Sequence, residues 1–199
     1  MGNCCQTTFM MVFSMLFSRS FRRFLAFSSF LWVFLAHAEG IDIQSTEVQW
    51  IDSANVSLTT NFMVNLTAAL KEAVERGIPL TFSIDFSLIQ PRWYWFNRQV
   101  LTWHQERRLS YNPLTRVYRY SIGGLYLNFS SLDEALQALE TVKAVPVPSQ
   151  MSLGKGEQYQ ARLHIELDTS HLPKPFQLDA LYSGDWTLTS PHREWMFTP

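Results

Sequence analysis

Residues Ile78–Gln90 carry the strictest hydropathy pattern in the chain. Ile78, Leu80, Phe82, Ile84, Phe86 and Leu88 fall on one parity, and Thr81, Ser83, Asp85 and Ser87 on the other. A period of two over this length is a β-strand with one buried and one wet face, the signature of an antiparallel sheet. Burying six such side chains contributes roughly 10–15 kcal/mol before chain entropy is counted. Any fold of this chain must therefore cover one face of a long strand.

The strand runs directly into Gln90-Pro91-Arg92-Trp93-Tyr94-Trp95-Phe96-Asn97. If this segment is extended, Trp93 and Trp95 share one face and Tyr94 and Phe96 the other. One pair can enter a core; the other meets a second layer, a ligand or a partner. Aromatic residues make up 15% of the chain, which favours sheet, where large rings fit a pleated surface.

The remaining pattern is also strand-rich. Ile41–Trp50 alternates with a phase slip, consistent with one bulged strand or two short ones. Ala54, Val56 and Leu58 predict the next strand, joined through turn residues Asp52-Ser53. Leu101, Trp103, Leu109 and Tyr111 line one face of Gln99–Tyr111. Asn112-Pro113 then turns the chain into Arg116–Ile122, and Gly123-Gly124 turns it again into Leu125–Phe129. Tyr159–Leu167 alternates as well, and the tail with Trp186 and Trp195 supplies one more strand. Two short amphipathic helices are predicted. Leu66, Leu70, Ala73 and Val74 form the stripe of the first, which Gly77 and Pro79 terminate. The second begins with a capping box at Ser131 and Glu134. Val145–Pro148 and Gly154–Gly156 read as loop, and Leu172–Phe176 as extended or polyproline-like. The expected architecture is a β-rich α+β domain: seven or eight strands in a single-domain antiparallel sheet or β-sandwich with two helices.

The first 38 residues read as a secretory leader outside the fold. Arg19, Arg22 and Arg23 form a basic region, Phe24–Leu35 an apolar run, and Ala36-His37-Ala38 a small-x-small cleavage pattern. Cleavage between Ala38 and Glu39 leaves 39–199 as one exported globular domain. The alternative is an uncleaved anchor, lengthened by the apolar run Phe9–Phe17, and membrane contact is expected only in that case. Met10, Met11 and Met15 are candidate true starts. Met1–Cys5 resembles an acylation head, but Gln6 stands where Ser or Thr is required. Both cysteines, Cys4 and Cys5, lie in the leader, so the mature chain is cysteine-free and has no disulfide or thiol nucleophile. The formal net charge of -1 becomes -4 once the three leader arginines are removed, and it gives no nucleic-acid footprint.

Several local stretches resemble one proteobacterial exported family. They are Gly77-Ile78-Pro79-Leu80-Thr81-Phe82, Pro91-Arg92-Trp93-Tyr94-Trp95, Leu109-Ser110-Tyr111-Asn112 with Tyr118-Arg119, Gly123-Gly124 and Ser131–Ala135. Leu167-Asp168-Thr169-Ser170, Leu172–Gln177 and Asp185-Trp186 complete the set. In combination they resemble domain of unknown function 4390 over nearly all the mature chain. The resemblance implies a periplasmic protein of the Gram-negative envelope. It also points to an envelope or inner-membrane protein partner such as a sensor kinase. It brings no catalytic residues. In a bacterial protein the glycosylation patterns at Asn55, Asn65 and Asn128 carry no expectation of modification.

Catalytic motifs are sparse. Asp168-Thr169-Ser170 has the form of an aspartic-protease triplet, but His171 replaces the usual glycine and no second copy exists. No phosphate loop or nucleophile elbow occurs. His104 and His164 fall on polar strand faces and would share a metal with Glu106 or Glu166 only if their strands were neighbours. No metal-ligand spacing is present, and no metal or small-molecule cofactor is expected. The reading is a non-catalytic binding or interaction module for a partner protein, a sensor domain or an envelope component. Its candidate binding residues are Arg92, Trp93, Tyr94, Trp95 and Phe96, together with Arg107 and Arg119 of the following hairpin. One alternative is an envelope glycan hydrolase using paired carboxylates such as Asp85 and Glu106. Another is a structural or chaperone-like periplasmic protein, which an exposed apolar groove would favour.

Overall fold

A computed structural model describes residues 40–94 and 96–199. The leader, Ala38 and Glu39 at the expected cleavage point, and Trp95 lie outside the described residues. Nine strands form two antiparallel sheets among the described residues. They are β1 (Gly40–Asp52), β2 (Asn55–Asn65), β3 (Leu80–Gln90), β4 (Arg98–Asn112), β5 (Val117–Ile122), β6 (Leu125–Phe129), β7 (Thr141–Pro148), β8 (Tyr159–Leu167) and β9 (Arg193–Phe197). One sheet has the order β1-β2-β7 and the other β6-β5-β4-β3-β8-β9. Inner-face residues of both sheets belong to a single hydrophobic core. The β-rich antiparallel architecture read from the sequence is the one observed.

The period-two run sits at the middle of the larger sheet. Leu80, Phe82, Ile84, Phe86 and Leu88 of β3 are all buried. They pair across with Leu109, Leu101 and Trp103 of β4 on one side and with Leu167, Ile165, Leu163 and Ala161 of β8 on the other. The strand starts at Leu80 rather than Ile78 because the preceding helix α1 (Ala68–Glu75) ends in a Schellman motif. Gly77, at φ 84°, donates to the Val74 carbonyl, and Ile78 donates to that of Ala73. The phase slip in β1 is a bulge: one strand runs from Gly40 to Asp52, with register breaks at Ile43/Ser45 and Trp50/Asp52.

Two elements depart from the sequence reading. Val145–Pro148 is not loop but the end of β7. Pro146 lies opposite Ser57 and Pro148 opposite Asn55, and β7 is an edge strand, where a missing N–H facing solvent removes no ladder bond. Leu172–Phe176 is not extended: Lys174–Tyr182 is a third α-helix, α3, with proline in its first turn. A helix leaves its first N–H groups unpaired in any case, so proline is tolerated there. The second predicted helix is α2 (Leu132–Leu139). Ser131 Oγ accepts from Glu134 N at 3.3 Å as expected, but the Glu134 carboxylate returns to the N–H and hydroxyl of Ser130.

Arg107 is the largest correction. Read from the sequence as a candidate binding residue, it is 2% exposed and faces the core side of β4, opposite Phe82. Its Nη1 donates to the carbonyls of Leu139, at the end of α2, and Thr141, at the start of β7, the latter at 2.9 Å. Gln105 Oε1 accepts from Nε and Nη2 at 3.3 Å. Burial lowers the Arg107 pKa, opposed by the nearby Tyr120, but arginine stays protonated at neutral pH. The guanidinium thus satisfies the negative end of α2 and ties that helix to both sheets. Arg107→Ala leaves these carbonyls buried without a donor and is expected to destabilise the domain by about 3 kcal/mol, with Arg107→Lys recovering part of the loss. Urea unfolding of the two variants checks this.

Candidate functional site

The sharp exit of β3 at Pro91 places the aromatic stretch outside the sheet. Pro91 to Tyr94 form an irregular turn, not an extended strand, so the predicted two-face alternation does not apply. Trp93 is 94% exposed, Tyr94 67% and Phe96 83%. The Trp93 and Tyr94 rings meet edge to face, with centroids 5.2 Å apart. None of these three rings fills the core between the sheets.

Beside this turn lies a cavity of about 540 Å³. Gln90, Arg92, Trp93 and Tyr94 form one wall, and Arg98 and the segment Met151–Gly154 another, with Glu157 and Tyr159 at the back. The second wall is held by backbone bonds. Gln150 N and Ser149 Oγ both donate to Val100 O, Ser149 N donates to Ala54 O at 2.7 Å, and Leu153 N to Ser53 O at 2.8 Å. This loop therefore links the start of β4 to the β1–β2 turn. At the back, the buried Tyr159 donates its hydroxyl proton to Glu157 Oε2 at 2.7 Å and accepts from Gly154 N at 2.9 Å. Gln90 Nε2 donates to the same Glu157 oxygen at 2.9 Å. A Cβ at position 154 would lie 2.5 Å from Glu157 Cδ, so a side chain there would displace the Glu157 carboxylate from Tyr159 and Gln90.

The electrostatics of the cleft follow from this pairing. Its one carboxylate, Glu157, is already engaged by Tyr159 and Gln90. Arg98 Nε reaches only the Met151 thioether, at 2.9 Å, a weak acceptor. Arg92 has no hydrogen-bond or ion-pair partner among the described residues. Two guanidinium groups thus face an aromatic and thioether wall with little internal compensation.

Arg107 and Arg119 do not join this site. Arg107 is buried, as described above. Arg119 of β5 pairs with Ser110, twelve positions along β4 from Arg98, or roughly 40 Å at the rise of an extended strand. Its guanidinium instead lies over the Tyr126 ring, 5.6 Å from the centroid. The hairpin that looked adjacent in sequence carries its arginines to the far end of the sheet.

The outer face of the larger sheet holds the histidines. β3 lies between β4 and β8, and Asp85 is in register with both His104 and His164. Those two backbones are therefore about 10 Å apart, not adjacent. Among the described residues no group of three or more histidine, cysteine or carboxylate side chains has the geometry to hold a metal ion. His104 Nδ1 lies 2.8 Å from Asp85 Oδ1 and its Nε2 3.7 Å from Glu106 Oε1, so the imidazole stands between the two carboxylates proposed for glycan hydrolysis. A shallow groove of about 440 Å³ takes in Asp85 but not Glu106, and within it His164 and His192 stack at 4.1 Å. Of the Asp168-Thr169-Ser170 triplet, Asp168 caps the 3-10 turn Thr169–His171, its carboxylate accepting from Ser170 N. Partial burial works to raise the Asp168 carboxyl, but Ser170 and His171 hold it below its ordinary value.

The profile of a protein family described as Domain of unknown function (DUF4390) matches residues 38–196. The chain belongs to the DUF4390 family. No curated protein and no solved structure matches it. The match begins at Ala38, so the DUF4390 region takes in both sheets and the aromatic turn. Among the described residues of this DUF4390 chain no helix is long and apolar enough to cross a membrane.

The cleft at Tyr159 and the overhanging turn were only half visible in the sequence. The aromatic run drew attention to Arg92–Phe96. The opposite wall, Met151–Gly154 with Glu157, comes from a stretch read only as a turn; its one signal is the closely spaced Gly154 and Gly156.

The His104–Asp85 contact gives a pH prediction. The hydrogen bond to Asp85 raises the His104 pKa above its ordinary 6.5, with Glu106 adding to it. A raised folded-state pKa means that this contact stabilises the domain below pH 6.5. The contribution is lost as pH rises through the folded-state value. Both side chains are about half exposed, so solvent screens the effect. Asp85→Asn should lower the His104 pKa more than Glu106→Gln does, as read by NMR titration of the imidazole.

Proposed function

We propose that this protein is a non-catalytic binding module of the Gram-negative envelope, exported by residues 1–38 acting as a secretory leader. The proposed binding site is the cleft between Arg92–Tyr94 and the Met151–Glu157 wall. The observation that carries the reading is the exposure of Trp93, Tyr94 and Phe96 beside a cavity of about 540 Å³. Burying a large apolar side chain contributes about 1.5–3 kcal/mol, and each of these rings forgoes most of that in the isolated chain. Aromatic anchors beside a pocket, flanked by arginine, are the composition of energetic centres in protein interfaces. Arg92 and Arg98, with little internal compensation, favour a partner that presents carboxylates next to an apolar segment. An envelope or inner-membrane protein such as a sensor kinase fits that description.

A photo-crosslinking residue in place of Trp93, introduced in the living cell, tests the proposal. A discrete protein adduct is expected, and it should be lost when Arg92 and Arg98 are both changed to Glu. A glycan or lipid adduct would replace the protein partner with an envelope component. Absence of any adduct from a folded, exported protein would overturn the assignment of this cleft.

A further inference from the structure

The two sheets present four edge strands, β1, β7, β6 and β9. Exposed edges invite pairing with other chains, and proteins blunt them with charge, proline or bulges. β1 carries Asp42, Glu47 and Asp52 and two register breaks. β7 carries Lys143, Pro146 and Pro148. β9 carries Arg193 and Glu194, with Arg193 bonded to Ile43 O at 2.9 Å. β6, Leu125-Tyr126-Leu127-Asn128-Phe129, has none of these features, and its register with β5 is unbroken.

β6 is also apolar and uncovered. Leu125, Tyr126 and Leu127 are 71%, 64% and 52% exposed. Leu127 continues the inner-face row Leu80–Leu109–Tyr120, and Leu125 continues the row through Arg107 and Ile122. Of the inner-face residues of β6, Phe129 packs against the core, while Leu125 and Leu127 extend past it into solvent.

The backbone of the free edge is defined by the turn before it. Gly123 and Gly124, at φ 51° and 89°, form a two-residue turn of the primed kind. In such a hairpin the flanking residues, Ile122 and Leu125, are a hydrogen-bonded pair. Leu125, Leu127 and Phe129 therefore turn their N–H and C=O groups to β5, while Tyr126 and Asn128 turn theirs outward.

We propose that β6 is the interface between two copies of this chain, paired antiparallel about a twofold axis at Leu127. The pattern of β6 is its own complement in this register. Leu127 faces Leu127 of the partner copy, and Leu125 faces Phe129 of the partner copy, all on the inner face, where Leu125 and Leu127 are exposed and Phe129 is partly buried. Tyr126 and Asn128 of the partner copy exchange both backbone bonds. No charged side chain of either β6 meets another, and the two larger sheets become one continuous antiparallel sheet. A closed twofold contact of this kind uses the same patch on both copies and leaves no further edge of this type open. The pairing lies far from the Trp93 cleft and does not depend on the binding function assigned there.

A cysteine substitution reads the register directly. In an antiparallel non-hydrogen-bonded pair the Cα atoms are about 4.5 Å apart, within the range a disulfide spans. The exported chain with Leu127→Cys should form a covalent dimer under mild oxidation, whereas Leu125→Cys and Asn128→Cys, whose partners are different residues, should form far less. Leu127→Lys, which sets two ammonium groups face to face, should weaken dimerisation by about 100-fold or more in sedimentation equilibrium. Position 127 is half-exposed, so both variants keep the fold, and circular dichroism checks that they do. A native chain that stays monomeric at high concentration, or a folded Leu127→Cys protein that fails to cross-link, would overturn the proposal. Equal cross-linking at all three positions would do so too, since it would indicate collision rather than register.

Discussion

The rest of this structure depends on the burial of one face of β3. Five large side chains in alternation leave the strand no position but the middle of a sheet, because an edge would expose part of that row. β4 and β8 pair on either side, each contributing its own alternating row, and the central three strands become a slab with one apolar face. A second layer must cover that face. The β1-β2-β7 sheet does so with Ile41, Ile43, Val56, Leu58, Phe62, Val142 and Val147.

The unequal widths of the two sheets create the remaining interest. Three strands cannot cover six, and the edges of the larger sheet are treated in different ways. Near the centre, α2 extends the cover beneath β4 and β5, held by the buried guanidinium of Arg107 at its C-terminus. A cation is well placed at that end of a helix, because the unpaired carbonyls there compensate its lost hydration. At the outer edge α2 reaches only part of β6, and Leu125 and Leu127 remain in solvent among the described residues. The aromatic turn after Pro91 is a different exposure, with rings carried outside the layers by a strand exit, beside a cavity walled by a loop that ties the two sheets together.

Arg107 and Arg119 show how a hairpin misleads when read as a local cluster. They are close to the aromatic run in sequence, yet β4 is fifteen residues long and carries them to its other end. Arg107 shares the parity of Leu101, Trp103 and Leu109, so its inward direction was present in the alternation. It was overridden by the expectation that a charge stays wet. The same default hid β7 and α3. Proline argues against strand and helix in general, but β7 is an edge, and Pro173 and Pro175 are the N-cap and first turn of α3, and both places tolerate a missing N–H.

What the sequence determined by itself is what depends on neighbours along the chain. The alternation of β3 and β8, the Gly77 helix stop, the Gly123-Gly124 hairpin and the bulge in β1 are local consequences of side-chain period and backbone freedom. Only the tertiary structure decided what depends on residues far apart in sequence. It set β8 beside β3 rather than beside β4, so that His104 and His164 flank Asp85 without sharing a ligand. It brought Met151–Glu157 against Arg92–Tyr94 to make a cleft, and it left β6 beyond the reach of the smaller sheet. Strand order and layer overlap are set by the total apolar area each arrangement buries, a sum over the whole domain that no local pattern encodes.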